Sequence, residues 1–206
     1  MKSSKNLLEQ LKSLPYFTKE SVRQLSKQYD ITEATVDTFI SRSLARKDIV
    51  SLKKGLYVSA DFYNKNKNDM SYLFFLANII RKPSYVSSWT ALQHYGLVTE
   101  AVHTITSVTS KVTRSYSTKA GNFSYSSIKT DLFSGSVLVK GKFDFFIATP
   151  AKALFDLLYS KTRQFQGITF EQIPGLLEEL RIDVSDMDES EREDFFTRVR
   201  TYMRHG

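Results

Sequence analysis

Between Thr104 and Thr149 the hydrophobic period is two, and on either side of that stretch it is helical. Such a chain can be neither an all-helical bundle nor an all-strand sandwich, and the order of the blocks predicts a sheet preceded and followed by helices. Ile105, Val108, Val112, Phe123, Tyr125, Ile128, Val137, Val139, Phe143, Phe145 and Ile147 punctuate the strands, with turns at Gly121-Asn122, Ser134-Gly135 and Lys140-Gly141. Thr149-Pro150 starts a helix, Thr as N-cap and Pro at the first helical position, and Ala153, Leu154, Leu157 and Leu158 give it a buried face. Asp156 lies inside that apolar helix, and a carboxylate so placed needs a partner. Two more helices are expected, over about residues 169–180 and 189–204. The last begins with Glu189, Glu191, Glu193 and Asp194 and ends with Arg198, Arg200 and Arg204, as the helix dipole favours. Upstream of the sheet, residues 70–80 are apolar almost all round and predict a buried helix ended by Lys82-Pro83. Ser87 or Ser88 then caps a short helix over 89–95, with Gly96 at the left-handed position that follows it.

The first sixty residues carry a different pattern. Leu7, Leu8, Leu11 and Leu14 recur at helical spacing before Pro15. Thr18 is an N-cap candidate for a second helix through Tyr29, with Val22, Leu25 and Tyr29 on one face. A third helix starts at Thr32, and Val36, Phe39, Ile40 and Leu44 form its apolar stripe. Its other face carries Thr35, Thr38, Ser41, Arg42 and Arg46, with Lys47 just beyond. Two β-prone runs, 48–52 and 56–58, flank a Lys53-Lys54-Gly55 turn and read as a hairpin. Three helices and a hairpin, in this order, are the signature of a winged helix-turn-helix whose third helix enters the major groove of DNA. Arg42 is long enough to reach a guanine, Thr35, Thr38, Ser41, Arg46 and Lys47 line the same approach, and Lys53 and Lys54 suit phosphate contact. The same trihelical unit can also dock a protein.

The fold expected is therefore α+β: an N-terminal winged helix-turn-helix over 1–60, a polar Asn/Lys-rich linker over 61–69, and a larger helix–sheet–helix domain over 70–206. The 206 residues suffice for one or two buried cores. Charge follows the same division. Residues 1–60 hold 11 Lys/Arg against 6 Asp/Glu, residues 61–150 hold 10 against 5, and residues 151–206 hold 8 against 11. A basic front and an acidic tail suggest different tasks, with nucleic acid as a partner for the front.

Reagents for catalysis are scarce. No cysteine is present, which removes disulfides and thiolate chemistry and fits a reducing, cytoplasmic location. His94, His103 and His205 have no metal-ligand spacing. Gly135 to Lys142 differs from a phosphate loop, its glycines standing one residue too far apart and Phe143 replacing the hydroxyl. Gly135-Ser136 with Asp144 lacks the second carboxylate a two-metal nucleotidyltransferase needs, because Phe145 and Phe146 follow. Asp183, Asp186, Asp188 and Glu189 lack the glycine of a calcium loop. The expectation is a non-enzyme with no cofactor and no metal. The N-terminus has no signal-peptide stretch, and the apolar run 72–80 is too short to cross a bilayer, so no membrane role is expected.

Three segments carry a resemblance: Lys54-Gly55-Leu56-Tyr57-Val58, the run Tyr85-Val86-Ser87-Ser88-Trp89-Thr90-Ala91-Leu92-Gln93-His94-Tyr95-Gly96-Leu97, and Thr149-Pro150-Ala151-Lys152-Ala153-Leu154-Phe155-Asp156-Leu157-Leu158. In this order, over about residues 5–160, they resemble the AbiEi family, the abortive-infection antitoxins of bacterial type IV toxin–antitoxin systems. The resemblance implies a transcriptional autorepressor that binds inverted repeats in the double-stranded DNA of its own promoter, often cooperatively. It also implies a C-terminal domain that counteracts a nucleotidyltransferase toxin without a stable complex. The alternatives from the residues themselves are a protein-docking module and an RNA-binding inhibitor that shields the toxin's substrate.

Overall fold

The computed structural model describes residues 2–29, 32–99 and 102–205. Among them the chain is mixed α/β, with nine α-helices and two sheets. It forms two compact units, Met1–Leu73 with Tyr116–Gly121, and Phe74–Ser115 with Asn122–Gly206.

In the first unit, α1 (Lys2–Leu11) buries Leu7 and Leu11. Pro15 and Tyr16 lead into a two-residue strand, β1 (Phe17–Thr18), which the sequence pattern does not announce. Thr18 then caps α2 (Lys19–Ser26) as expected: its Oγ1 accepts the Ser21 N–H at 3.0 Å, and Ser21 Oγ accepts the Thr18 N–H at 3.2 Å. The helix tightens into a 3₁₀ turn over Lys27–Tyr29 rather than running on as α. In α3 (Glu33–Ala45), Val36, Phe39 and Ile40 are buried and Leu44 is half-buried, joining Leu7, Leu11, Phe17, Val22, Ile49 and Tyr57 in one core. The hairpin is present as β2 (Ile49–Lys53) and β3 (Leu56–Ser59), and β1 adds to it to give the order β1-β3-β2. A bulge between Ser51 and Lys53 leaves Leu52 as the extra residue, fully buried.

The linker expectation is corrected. Residues 60–66 are a helix, α4 (Ala60–Asn66), because Ser59 caps it through the Phe62 N–H at 3.1 Å. Asn66 is buried and donates to the Phe62 carbonyl at 2.8 Å, and Asp61 pairs with Lys12 at 3.2 Å. Composition read as polar loop; capping and one buried amide override it. The division between the units falls at 73/74, inside α5 (Met70–Ile80).

The larger sheet is six-stranded and mixed, built from β4 (Tyr85–Val86), β5 (Thr104–Thr109), β6 (Arg114–Thr118), β7 (Gly121–Ser127), β8 (Ser136–Val139) and β9 (Phe145–Ala148), and all of it except Tyr116–Thr118 and Gly121 belongs to the second unit. Its order is β6-β7-β5-β4-β9-β8. β5 runs parallel to β7 and β4 parallel to β9, while β4–β5 and β8–β9 are antiparallel. Central β4 is only two residues long, and Asn78 of α5 serves the neighbouring strand: its Oδ1 accepts the Phe146 N–H at 2.6 Å. Ile105, Val108, Phe123, Tyr125, Phe145 and Ile147 lie in strands as expected and are buried, whereas Val112 falls in the loop before β6, 76% exposed, and Val137 is exposed on β8. α6 (Ser88–His94) follows β4, and Gly96 takes φ +75° after it. α7 (Pro150–Lys161) begins as the sequence predicts, with Thr149 Oγ1 accepting the Lys152 N–H and Pro150 at the first turn. It packs between α6 and the last helix, α9 (Glu189–His205); α8 (Ile173–Glu179) lies between α7 and α9 in sequence.

Every residue of α7 from Ala151 to Tyr159 is buried, Lys152 and Asp156 included. Lys152 Nζ meets Asp156 Oδ1 at 2.5 Å, and Asp156 Oδ2 accepts hydroxyl hydrogens from Ser87 at 2.7 Å and Tyr85 at 3.1 Å. This is the partner set the sequence demanded. Burial pushes the Asp156 carboxyl up and the Lys152 ammonium down, and each opposes the other's shift through its charge. Removing one member strands a buried charge, whereas removing both does not. Lys152→Met should therefore cost about 3–5 kcal/mol in urea unfolding, and Lys152→Met with Asp156→Leu should recover most of that loss. A double variant as unstable as the single would show that the charges do not act as a pair.

Candidate nucleic-acid interface

The interface predicted from sequence lies wholly in the first unit. Helical rotation of about 100° per residue sets Thr35, Thr38, Arg42 and Arg46 in one sector of α3, with Ser41 at its margin. Farther round the helix, Val36 and Ile40 are turned into the core, and Phe39 is buried at the edge of the sector, about 40° from Thr35 on the same rotation. Thr35, Thr38, Ser41, Arg42, Arg46 and Lys47 are all exposed. Phe39, at 5% exposure, anchors the helix beside the polar face.

Acidic neighbours are neutralised locally. Asp37 pairs with Lys19 at 2.5 Å, and Asp48 accepts from Arg46 Nε at 2.9 Å. Arg46 is thereby partly committed within the protein. Among the described residues Arg42, Lys47 and Lys54 form no side-chain hydrogen bond or ion pair, leaving their donors for an external acceptor.

Two positions differ from the sequence reading. Lys53 is not in the turn: the bulge carries it to the end of β2, opposite Leu56, where it is half-buried. The tip is Lys54-Gly55, with Gly55 at φ +80° in the left-handed region that favours glycine. The Gly55 carbonyl accepts the Lys19 N–H at 3.1 Å, tying the tip to the start of α2.

Lys47 is the second. It sits at φ +62°, with its N–H bonded to the Leu44 carbonyl at 3.1 Å and the Asp48 N–H bonded to the Ser43 carbonyl at 2.9 Å. That double closure is a Schellman motif, whose left-handed residue is ordinarily glycine. A lysine there bears backbone strain and forms no side-chain hydrogen bond or ion pair among the described residues. The sequence signal for it was a helix reaching Arg46 with no glycine to end it.

No family profile matches the chain, and a search of the curated proteins returns no match. No helix of the described residues is long and apolar enough to cross a membrane.

Lys47→Gly should raise stability by about 0.5–1 kcal/mol in thermal or urea unfolding by relieving the left-handed strain. Unchanged or lower stability would mean that the lysine side chain contributes packing at this corner.

Proposed function

We propose that the chain is a DNA-binding repressor and antitoxin. Its first unit acts as a winged helix-turn-helix in which α3 reads bases and the hairpin tip holds phosphate. The observation that carries this reading is the exposed sector of α3, where Thr35, Thr38 and the unpaired Arg42 face outward while Val36 and Ile40 are buried, with unpaired Lys54 at the tip of the adjoining hairpin. Short hydroxyl side chains around one long cation let a helix approach base edges closely, and a bidentate arginine discriminates guanine. The surplus of 11 basic over 6 acidic residues in 1–60 supplies the sequence-independent attraction. The target is double-stranded promoter DNA with inverted repeats, on which several copies assemble.

The resemblance of Tyr85–Leu97 and Thr149–Leu158 to AbiEi antitoxins supports the second half of the proposal: the second unit counteracts a nucleotidyltransferase toxin without forming a lasting complex with it. The protein acts in the cytoplasm and is not itself an enzyme. Lys152 and Asp156, both in the third resembling segment, are committed to each other in a closed network, which gives that segment a structural task.

Arg42→Ala should cost about 1–3 kcal/mol on the cognate operator and less on random DNA. Lys53→Ala with Lys54→Ala should weaken both DNAs alike and flatten the salt slope by about 1–2 units. Fluorescence anisotropy over a salt series measures both effects. Equal losses on both DNAs for Arg42→Ala would remove base reading from α3. No loss from any of these substitutions, with binding flat in salt, would transfer the unit to protein docking; preference for tRNA over promoter DNA would favour the RNA-shielding reading. The full-length triple variant should lose repression yet still protect cells from the toxin. Loss of protection by a folded triple variant would end the division of labour between the units.

A further inference from the structure

The second unit contains a cavity of about 470 Å³ that none of the preceding functions uses. Three elements enclose it: the loop from Lys129 to Ser134, the first turns of α7 at Lys152 and Phe155, and the middle of α9 from Asp194 to Tyr202. Its volume falls in the range of small-molecule sites and greatly exceeds what an inorganic anion requires.

Arg198 is the central group. Asp194, one turn earlier on α9, accepts from Arg198 Nε at 2.7 Å and so fixes the plane of the guanidinium. The two terminal nitrogens make no hydrogen bond among the described residues, although the side chain is only 30% exposed. An arginine oriented through Nε, with both terminal nitrogens open, presents the fork that receives an oxyanion edge-on. Gly135 makes room for it. A Cβ there would come within 3.2 Å of an Arg198 terminal nitrogen and 3.1 Å of Lys152 Cγ.

A second cation completes the wall. Lys129 Nζ stands 5.4 Å from the centroid of the Tyr202 ring, exposed and without an acidic partner among the described residues. Lys152 lines the cavity as well, but its charge is spent on Asp156. Two available cations suit a dianion better than a single carboxylate, which one arginine would satisfy. The hydroxyls of Ser134, Thr197 and Thr201 also face the space, and Phe155 and Tyr202 form its apolar side. Asp131 is the one lining group that opposes an anion, since Asp194 already serves Arg198.

We propose that this cavity binds a phosphate monoester carrying a planar ring, of the nucleoside monophosphate class. The phosphate lies between the Arg198 fork and Lys129, the sugar hydroxyls meet the Thr197–Thr201 edge, and the ring rests on the aromatic side. Ligand joins the 129–134 loop to α9, so occupancy stiffens the second unit without touching the α3 face.

The test is calorimetric titration of the full-length protein with AMP, GMP, adenosine, inorganic phosphate and benzoate, with melting curves alongside. A nucleoside monophosphate should bind saturably and raise Tm, adenosine and benzoate should not, and inorganic phosphate should bind at least about tenfold more weakly. Arg198→Gln and Lys129→Ala should each weaken monophosphate binding about tenfold or more, while Asp131→Asn should tighten it. Lys129 is exposed, so its variant reports on binding even if Arg198→Gln unfolds. Arg42→Ala with Lys54→Ala should leave binding unchanged, which separates this site from the DNA face. The proposal is overturned if no monophosphate binds saturably, if benzoate binds as tightly as AMP, or if binding survives Lys129→Ala but not Arg42→Ala with Lys54→Ala.

Discussion

A buried lysine and a buried aspartate one helical turn apart set the terms for the second unit. Desolvating either charge alone is costly, so each tolerates the interior only in contact with the other. Lys152 and Asp156 fix one face of α7 against β4, because Asp156 has further lone pairs that only Tyr85 and Ser87 satisfy. Rotating or sliding α7 by one residue would leave a carboxylate in hydrocarbon. Apolar residues such as Leu154, Leu157 and Leu158 would tolerate several docked arrangements; the polar network accepts one. Ser87 spends its hydroxyl on Asp156 and makes no side-chain cap for α6.

Legibility from sequence tracked the range of the determining interaction. The α3 stripe, the Thr18 and Thr149 caps and the Gly55 turn depend on neighbours within a few residues, and all were readable. The Lys152–Asp156 pair is also local, at i and i+4, yet the sequence showed only that Asp156 needed a partner and did not single out Lys152. Its partners Tyr85 and Ser87 are 71 and 69 residues away, and no periodicity encodes them. The strands within 104–149 were readable as strands, but two-residue β4 was not, and the parallel pairings β5–β7 and β4–β9 require crossovers that a pattern of alternation does not specify. α4 was missed because asparagine and lysine suggest a loop, while the Ser59 cap and the buried Asn66 amide decide for helix.

At the candidate interface the exposure of the α3 residues was legible, and their freedom was not. Periodicity separates Arg42 from Phe39, yet only coordinates show Arg46 engaged with Asp48 and Lys53 withdrawn into the bulge. The cavity was wholly illegible, since Lys129 and Arg198 converge from segments 69 residues apart in number and neither belongs to a motif. The Arg198–Asp194 spacing read only as helix-dipole complementation.

The outer strand β8 pairs with β9 on one side only, and Val137 and Leu138 are each 44% exposed, with Phe146 of β9 opposite Leu138 at 47%. Such an edge is a template for another chain's backbone. Lys140 and Lys142, just past its end, place positive charge beside that edge, which disfavours a parallel approach of a second copy along β8. That protection is electrostatic and therefore shrinks with the Debye length, whereas the apolar attraction does not. Raising the ionic strength therefore weakens the guard on this edge and leaves its apolar surface as adhesive as before.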